Sequence, residues 1–198
     1  MTASAESTVL VVEDERELAD TYARWLAEEY EVRTAYTGEA ALEVLDPSVD
    51  IVLLDRRLPE LRGREVLDRI RERDLGCRVA MITAVDPDFD IIDMPFDDYV
   101  VKPVLKDDLL EIADRLRRLA AYDERARESF SVASKLRVLD AEKPAADIED
   151  NAEYAELADR FEELQSSLHD LLADFDDDDF ARAYRRLSST DEDTADGG

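Results

Sequence analysis

Five short apolar runs constrain the fold of this chain more than any other feature: Thr8–Val12, Val32–Ala35, Ile51–Leu54, Val79–Ile82 and Tyr99–Val101. Runs this short read as strands, and the stretches between them carry helical periodicity. Glu15 to Glu29 places Leu18, Tyr22, Trp25 and Leu26 on one face. Gly38 to Leu45 reads as a short helix ending before Pro47, and Arg64 to Arg73 carries Val66, Leu67 and Ile70. Continuous apolar strands alternating with amphipathic helices predict a parallel sheet covered on both faces. Right-handed crossovers leave few topologies. Five such units suit a doubly wound α/β fold of the flavodoxin-like (βα)5 type, with strand order 2-1-3-4-5.

From Lys106 the pattern changes to helix, running to about Leu139. Asp140 to Asp150, with Pro144, reads as a connector. Beyond it Tyr154, Leu157, Phe161, Leu164, Leu168, Leu171 and Phe175 recur at alternating intervals of 3 and 4, the seam of a helical hairpin or coiled coil. The earlier helix offers Leu109, Ile112, Leu116 and Leu119, then Ala126, Phe130 and Ala133. Asp123 and Arg137 fall where that seam needs apolar residues, which predicts a stutter or a change of partner. Asp176 to Asp179 can cap a last short helix, Phe180 to Leu187, and Ser188 to Gly198 is a polar acidic tail. The expected division is an α/β domain over 1–121, an all-α helical domain over 122–188 and a disordered tail over 189–198.

The chain has 198 residues, room for one domain with a proper core and a small appendage. Its formal net charge is −27, with 33 acids and 20 bases before residue 141 and 19 acids and 5 bases after it. Such a surface repels nucleic acid and anionic membranes at ordinary salt. It suits molar salt, where screening acts within ~3 Å, better than it suits an ordinary acidic cytosolic protein. The basic residues lean the same way, with 21 arginines and only 4 lysines. Cys77 is the single cysteine, so no intramolecular disulfide can form and a zinc site is disfavoured. The single histidine, His169, lies between Leu168 and Leu171 on a helical stretch and reads as a surface residue. Met1 to Thr8 is polar, and no apolar run approaches ~18 residues. A soluble, cytoplasmic protein with no membrane partner is expected.

In an open parallel sheet, ligands bind beyond the carboxyl ends of the strands, where strand order reverses. Glu13 and Asp14 follow the first strand, Asp55 the third, Thr83 the fourth and Lys102 the fifth. Three carboxylates brought together repel one another and call for a cation. Oxygen donors in small number suit Mg²⁺, which shares its coordination with phosphate. Lys102 adds a point charge and Thr83 a hydroxyl donor. The set reads as a site where a carboxylate attacks phosphorus while a metal and a lysine absorb charge. Taken singly, each residue has an ordinary explanation: a helix cap, a turn, a strand-end threonine. In this order, each at a strand end, they point to one site.

The segments VLVVEDE (Val9 to Glu15), IVLLDRRLPELRG (Ile51 to Gly63), VAMITA (Val79 to Ala84) and DDYVVKP (Asp97 to Pro103) resemble the signatures of response-regulator receiver domains, over about residues 7–120. The resemblance implies that a sensor histidine kinase phosphorylates Asp55. It implies that Asp14, Asp55 and the backbone carbonyl of Arg57 bind Mg²⁺, with Glu13 acting through water. Thr83 and Lys102 would grip the phosphoryl group, Ala84 would leave room for it, and Pro103 would follow a cis bond that aims Lys102. Tyr99 occupies the place of the family's aromatic switch, which turns inward as Thr83 moves. The protein would be a switch that catalyses only its own phosphoryl transfer and loss. Arg57 and Val85 stand where the family tunes hydrolysis. The chain also departs from the pattern. Thr83 and Lys102 are only 19 positions apart, Pro87 and Pro95 lie between them, and Met94, Pro95 and Phe96 replace the usual small residues. Helix four is therefore expected to be short or broken, which affects the standard dimer face built from helix four, strand five and helix five.

Residues 125–190 resemble the HalX domain that follows receivers in haloarchaea, through Tyr122 to Lys143, Asn151 to Leu157 and Asp176 to Leu187. Two outputs are open. The helical seam wants a helical partner, which points to a downstream protein or a homodimer. Arg115, Arg117 and Arg118, or Arg182, Arg185 and Arg186, could instead touch DNA phosphates. The acid excess after residue 140 and the absence of a basic recognition element favour the protein partner. A hydrolase built on the same acidic site would need a further acid or base, and Thr83 and Lys102 argue against it.

Overall fold

The computed structural model describes residues 7–85, 89–144, 147–148 and 151–173. The described residues form five strands: β1 (Thr8–Val12), β2 (Glu31–Ala35), β3 (Ile51–Leu54), β4 (Arg78–Thr83) and β5 (Asp98–Val101). They form one parallel sheet in the order β2-β1-β3-β4-β5. Helices α1 (Arg16–Leu26), α2 (Gly38–Val44), α3 (Gly63–Glu72), α4 (Lys106–Glu142) and α5 (Ala152–Ala173) complete the element order. The expected topology is therefore the observed one, with element ends moved by a few residues.

The strand sequences explain both layers. Successive side chains point to opposite faces of a strand, and here both sets are apolar. Leu10, Val12, Val52, Leu54, Val79 and Met81 pack with Val66, Leu67 and Ile70 of α3 and with α2. Their neighbours Val9, Val11, Ile51, Leu53, Ala80 and Ile82 pack with Ala19, Tyr22 and Leu26 of α1 and with Leu109, Ile112 and Leu116 of α4. Fixed on both faces, the strand ends are held at set positions. Thr37 caps α2 by accepting from the Ala40 N–H at 3.1 Å. Between β4 and β5 the described residues hold a single 3₁₀ turn, Phe89–Ile91, and no α-helix. The expectation of a shortened fourth helix is met there; Pro87 lies outside the described residues.

The molecule divides into two compact units, up to Ala121 and from Tyr122 onward. In the second unit, α4 and α5 form an antiparallel hairpin. The Tyr154 hydroxyl donates to the Asp140 carboxylate at 2.7 Å, and further along α5 Arg160 pairs with the earlier Glu128 at 2.8 Å. Asn151 starts α5 by accepting the Tyr154 N–H at 2.8 Å. Leu164 and Val132 are the buried apolar side chains of this unit among the described residues, while Leu157, Phe161, Leu168 and Leu171 are half-buried.

One expectation fails here. The apolar spacing places Phe130 on the seam, yet it is 80% exposed and Val132 is buried instead. The helix runs unbroken, and two residues along it turn the side chain by roughly 200°, so one face cannot hold both. Val132, Leu136 and Leu139 take the inner face, and Phe130 is left outside. The expected seam residue Phe175, the cap at 176–179, the helix at 180–187 with Arg182, Arg185 and Arg186, and the tail all lie outside the described residues.

Candidate functional site

The site forms because strand register extends one residue past β1 and β3. The Asp55 N–H donates to the Val12 carbonyl at 2.9 Å, and the Glu13 N–H to the Ala35 carbonyl at 3.1 Å. The first bond brings the end of β1 beside the residue after β3, and the second holds Glu13 against the end of β2. At the end of β5, the Lys102 N–H donates to the Thr83 carbonyl at 2.8 Å, which sets Lys102 beside the end of β4.

The side chains converge. Lys102 Nζ donates to Glu13 Oε2 at 2.5 Å and to Asp55 Oδ2 at 2.7 Å. Carboxylate oxygens of Glu13, Asp14 and Asp55 all lie within 4.8 Å of one another. Glu13 and Asp55 are buried, Thr83 is fully buried, and Asp14 is exposed. The Arg57 N–H donates to Asp55 Oδ1 at 2.9 Å, and Thr83 Oγ1 accepts the Val85 N–H at 3.3 Å. The Lys102–Pro103 peptide is cis.

Buried charges persist only when paired. Burial raises the pKa of Glu13 above the usual carboxylate range, with Lys102 opposing it. For Lys102 burial works downward, but the hydrogen bonds to Asp55 and Glu13 outweigh it and hold the ammonium above its ordinary value. One ammonium against three carboxylates leaves two negative charges uncompensated. An oxygen-only donor set with that surplus fits a hard divalent cation.

Gly63 shapes the loop after β3. A Cβ there would sit 2.2 Å from the Asp55 carbonyl oxygen and 2.7 Å from Arg56 Cα, so only glycine lets α3 begin against the backbone of Asp55. The Gly63 N–H donates to the Arg56 carbonyl at 3.1 Å, closing the same loop.

Tyr99 is half-buried on β5. Its ring lies 5.4 Å from that of Phe96, and its hydroxyl donates to the Val85 carbonyl at 2.8 Å. Arg56 is the residue that sequence reasoning passed over. Its guanidinium donates to the Tyr99 hydroxyl at 3.3 Å and pairs with Asp90 of the 3₁₀ turn. Nothing in the sequence ties residue 56 to residues 90 and 99; only its place after Asp55 offered a signal. Asp97 was likewise missed. It accepts from Arg71 at 2.6 Å, Arg78 at 2.5 Å and the Val79 N–H at 2.7 Å, fixing the entry to β5. The arginines weighed for DNA contact are engaged internally: Arg115 pairs with Asp98, and Arg117 and Arg118 with Asp114.

Comparison with known proteins agrees with this geometry. The profile of the response regulator receiver domain matches residues 9–114, and that of the HalX domain matches residues 118–184. A Haloferax volcanii protein named as a transcriptional regulator is 46% identical over 164 residues, covering 82% of this chain and 28% of its own length. The transcriptional regulatory protein DltR of Streptococcus agalactiae is 39% identical over 107 residues, covering 52% of this chain and 48% of its own. The chain thus spans less than half the length of these curated relatives. Among solved structures, a CheY-like response regulator receiver domain protein from Methanospirillum hungatei superposes with a TM-score of 0.51 at 28% identity, covering 57% of this chain and 94% of that one. No helix among the described residues is long and apolar enough to cross a membrane. The chain belongs to the response regulator receiver family, its receiver domain being followed by a HalX domain.

Proposed function

We propose that Asp55 accepts a phosphoryl group from a sensor histidine kinase in the cytoplasm, and that the helical unit from Tyr122 onward carries the response to a protein partner. The observation that carries this reading is the Lys102 ammonium shared between the buried carboxylates of Glu13 and Asp55. An Asp55 oxygen would attack phosphorus while the bond from phosphorus to the phosphohistidine nitrogen breaks, the freed imidazole taking its proton from solvent. Lys102 would pass from the carboxylate to a phosphoryl oxygen, and the Thr83 hydroxyl would donate to another. Glu13 (through water), Asp14, Asp55 and the Arg57 carbonyl would hold Mg²⁺. When bound, the ion supplies charge neutralisation between carboxylate and phosphate. In this reading Tyr99 and Thr83 relay the change, and Pro103 keeps Lys102 in place. Residues 1–121 form the receiver, 122–188 the output unit and 189–198 an acidic tail.

The receiver is a switch with no turnover on other substrates. A protein partner is favoured over direct DNA contact because Arg115, Arg117 and Arg118 are already bound to Asp98 and Asp114. Transcription control through DNA is the second reading, since the relatives are named transcriptional regulators. Incubation with acetyl phosphate tests the first. Phosphate uptake is expected with Mg²⁺ and not after chelation; uptake indifferent to the metal contradicts the site.

A further inference from the structure

The face of α4 turned away from α5 carries Arg127, Phe130, Ser131, Ser134, Arg137 and Val138, all exposed. These positions follow helical spacing and form one stripe, opposite the inner residues Val132, Leu136 and Leu139. Phe130 is 80% exposed and Val138 53%. Between residues 125 and 137 lie four bases and one acid, a basic stretch in a chain of net charge −27. Arg127 and Arg137 make no hydrogen bond or ion pair among the described residues. An apolar centre with free charges beside it has the composition of an association surface.

We propose that this face binds the same face of a second copy, the two α4 helices running antiparallel about a two-fold axis at Ser134. The proposal rests on reading the helical unit as a protein-interaction module, and it names the occupant. A two-fold interface must be self-complementary, residue i meeting j and j meeting i. Antiparallel pairing centred on Ser134 does this. Phe130 and Val138 stand four positions either side of the centre, so each Phe130 meets the partner copy's Val138 and each apolar side chain is covered. Arg127 comes opposite Ala141 and Glu142, so the free guanidinium reaches an exposed carboxylate. Ser131 and Ser134 are small enough for close approach at the middle. A nucleic-acid duplex would use the arginines but leave Phe130 and Val138 uncovered. The exposed acids of α5 on the same hairpin, Glu156, Asp159 and Glu163, would also oppose it.

The full-length Ser134→Cys protein tests this, because the native Cys77 is buried and does not compete. Mild oxidation at the working salt, with and without acetyl phosphate and Mg²⁺, is expected to give a covalent dimer in at least one state. Gln165→Cys, exposed on α5, serves as the control and should give far less. Adding Phe130→Asp to Ser134→Cys should abolish the dimer while circular dichroism shows the helices intact, since Phe130 packs outside the hairpin core. Crosslinking of Ser134→Cys no greater than of Gln165→Cys in both states overturns the proposal. Duplex binding lost on Arg127→Glu, with no dimer, overturns it in favour of nucleic acid. Phosphate uptake is measured on the same samples, so a failed dimer with intact uptake leaves the receiver reading standing.

Discussion

The receiver and the helical hairpin are built by opposite means. In the receiver, β1, β3 and most of β4 are buried along their whole length, and two helical layers clamp the sheet. The sheet is held from both sides, so Glu13, Asp55 and Lys102 meet within hydrogen-bond distance despite lying far apart in sequence. In the hairpin, Val132 and Leu164 are the buried apolar side chains among the described residues, and most of the remaining side chains are half-buried or exposed. Two helices packed along one seam bury too little to position a catalytic group, and they leave long outer faces exposed. In the reading proposed above, chemistry falls to the two-sided core and recognition to the outer face of the hairpin.

That contrast can be broken by damage confined to either region. Leu164→Asp places a charge at the buried centre of the seam and should destabilise the hairpin by ~3 kcal/mol or more. Circular dichroism should lose the helical signal of the second unit while phosphate uptake continues; unchanged helicity and melting would show that the seam does not hold the hairpin. The reverse experiment is Lys102→Ala, which leaves Glu13 and Asp55 buried without their counter-charge. Uptake from acetyl phosphate should fall about 100-fold, the scale of removing a charge-stabilising donor, with the hairpin melt unaffected. Gly63→Ala should have a smaller effect, because the clash with the Asp55 carbonyl must be relieved by shifting the loop. A loss of roughly 1–3 kcal/mol is expected, with slower uptake, read by denaturant unfolding; no change would mean the loop is not held there. The smallest effect sharpens the contrast. Burial pushes the Cys77 thiol up, so a thiol reagent should label it slowly in the native receiver and rapidly after unfolding. In Leu164→Asp that protection should persist, and its loss would mean the units do not fail separately.

Much of the receiver was legible in sequence because its signals are local. Ile51 to Leu54 can only be a doubly buried strand, and Asp55 follows it. The sheet order follows from the alternation of elements, and the strand-end residues gather because the topology permits little else. Contacts that depend on side-chain reach were not legible. Arg56 reaches past β4 to Tyr99 on β5 and to Asp90, and Asp97 ties together Arg71, Arg78 and Val79. The hairpin was half legible. Apolar spacing gave the α5 seam through Leu164, but on α4 the inner residues are Val132, Leu136 and Leu139, not the series Ala126, Phe130 and Ala133 that the spacing suggests. The larger side chain faces outward, which periodicity alone cannot foresee.

The central claim is that the buried carboxylate of Asp55 is the phosphate acceptor. Its most direct test is chemical mapping: treat the protein with acetyl phosphate and Mg²⁺, trap the acyl phosphate by borohydride reduction, and locate the modified residue by mass spectrometry. The account predicts reduction at Asp55 alone and none in Asp55→Asn. Modification at Asp14 or Glu13, or labelling that survives Asp55→Asn, would contradict it.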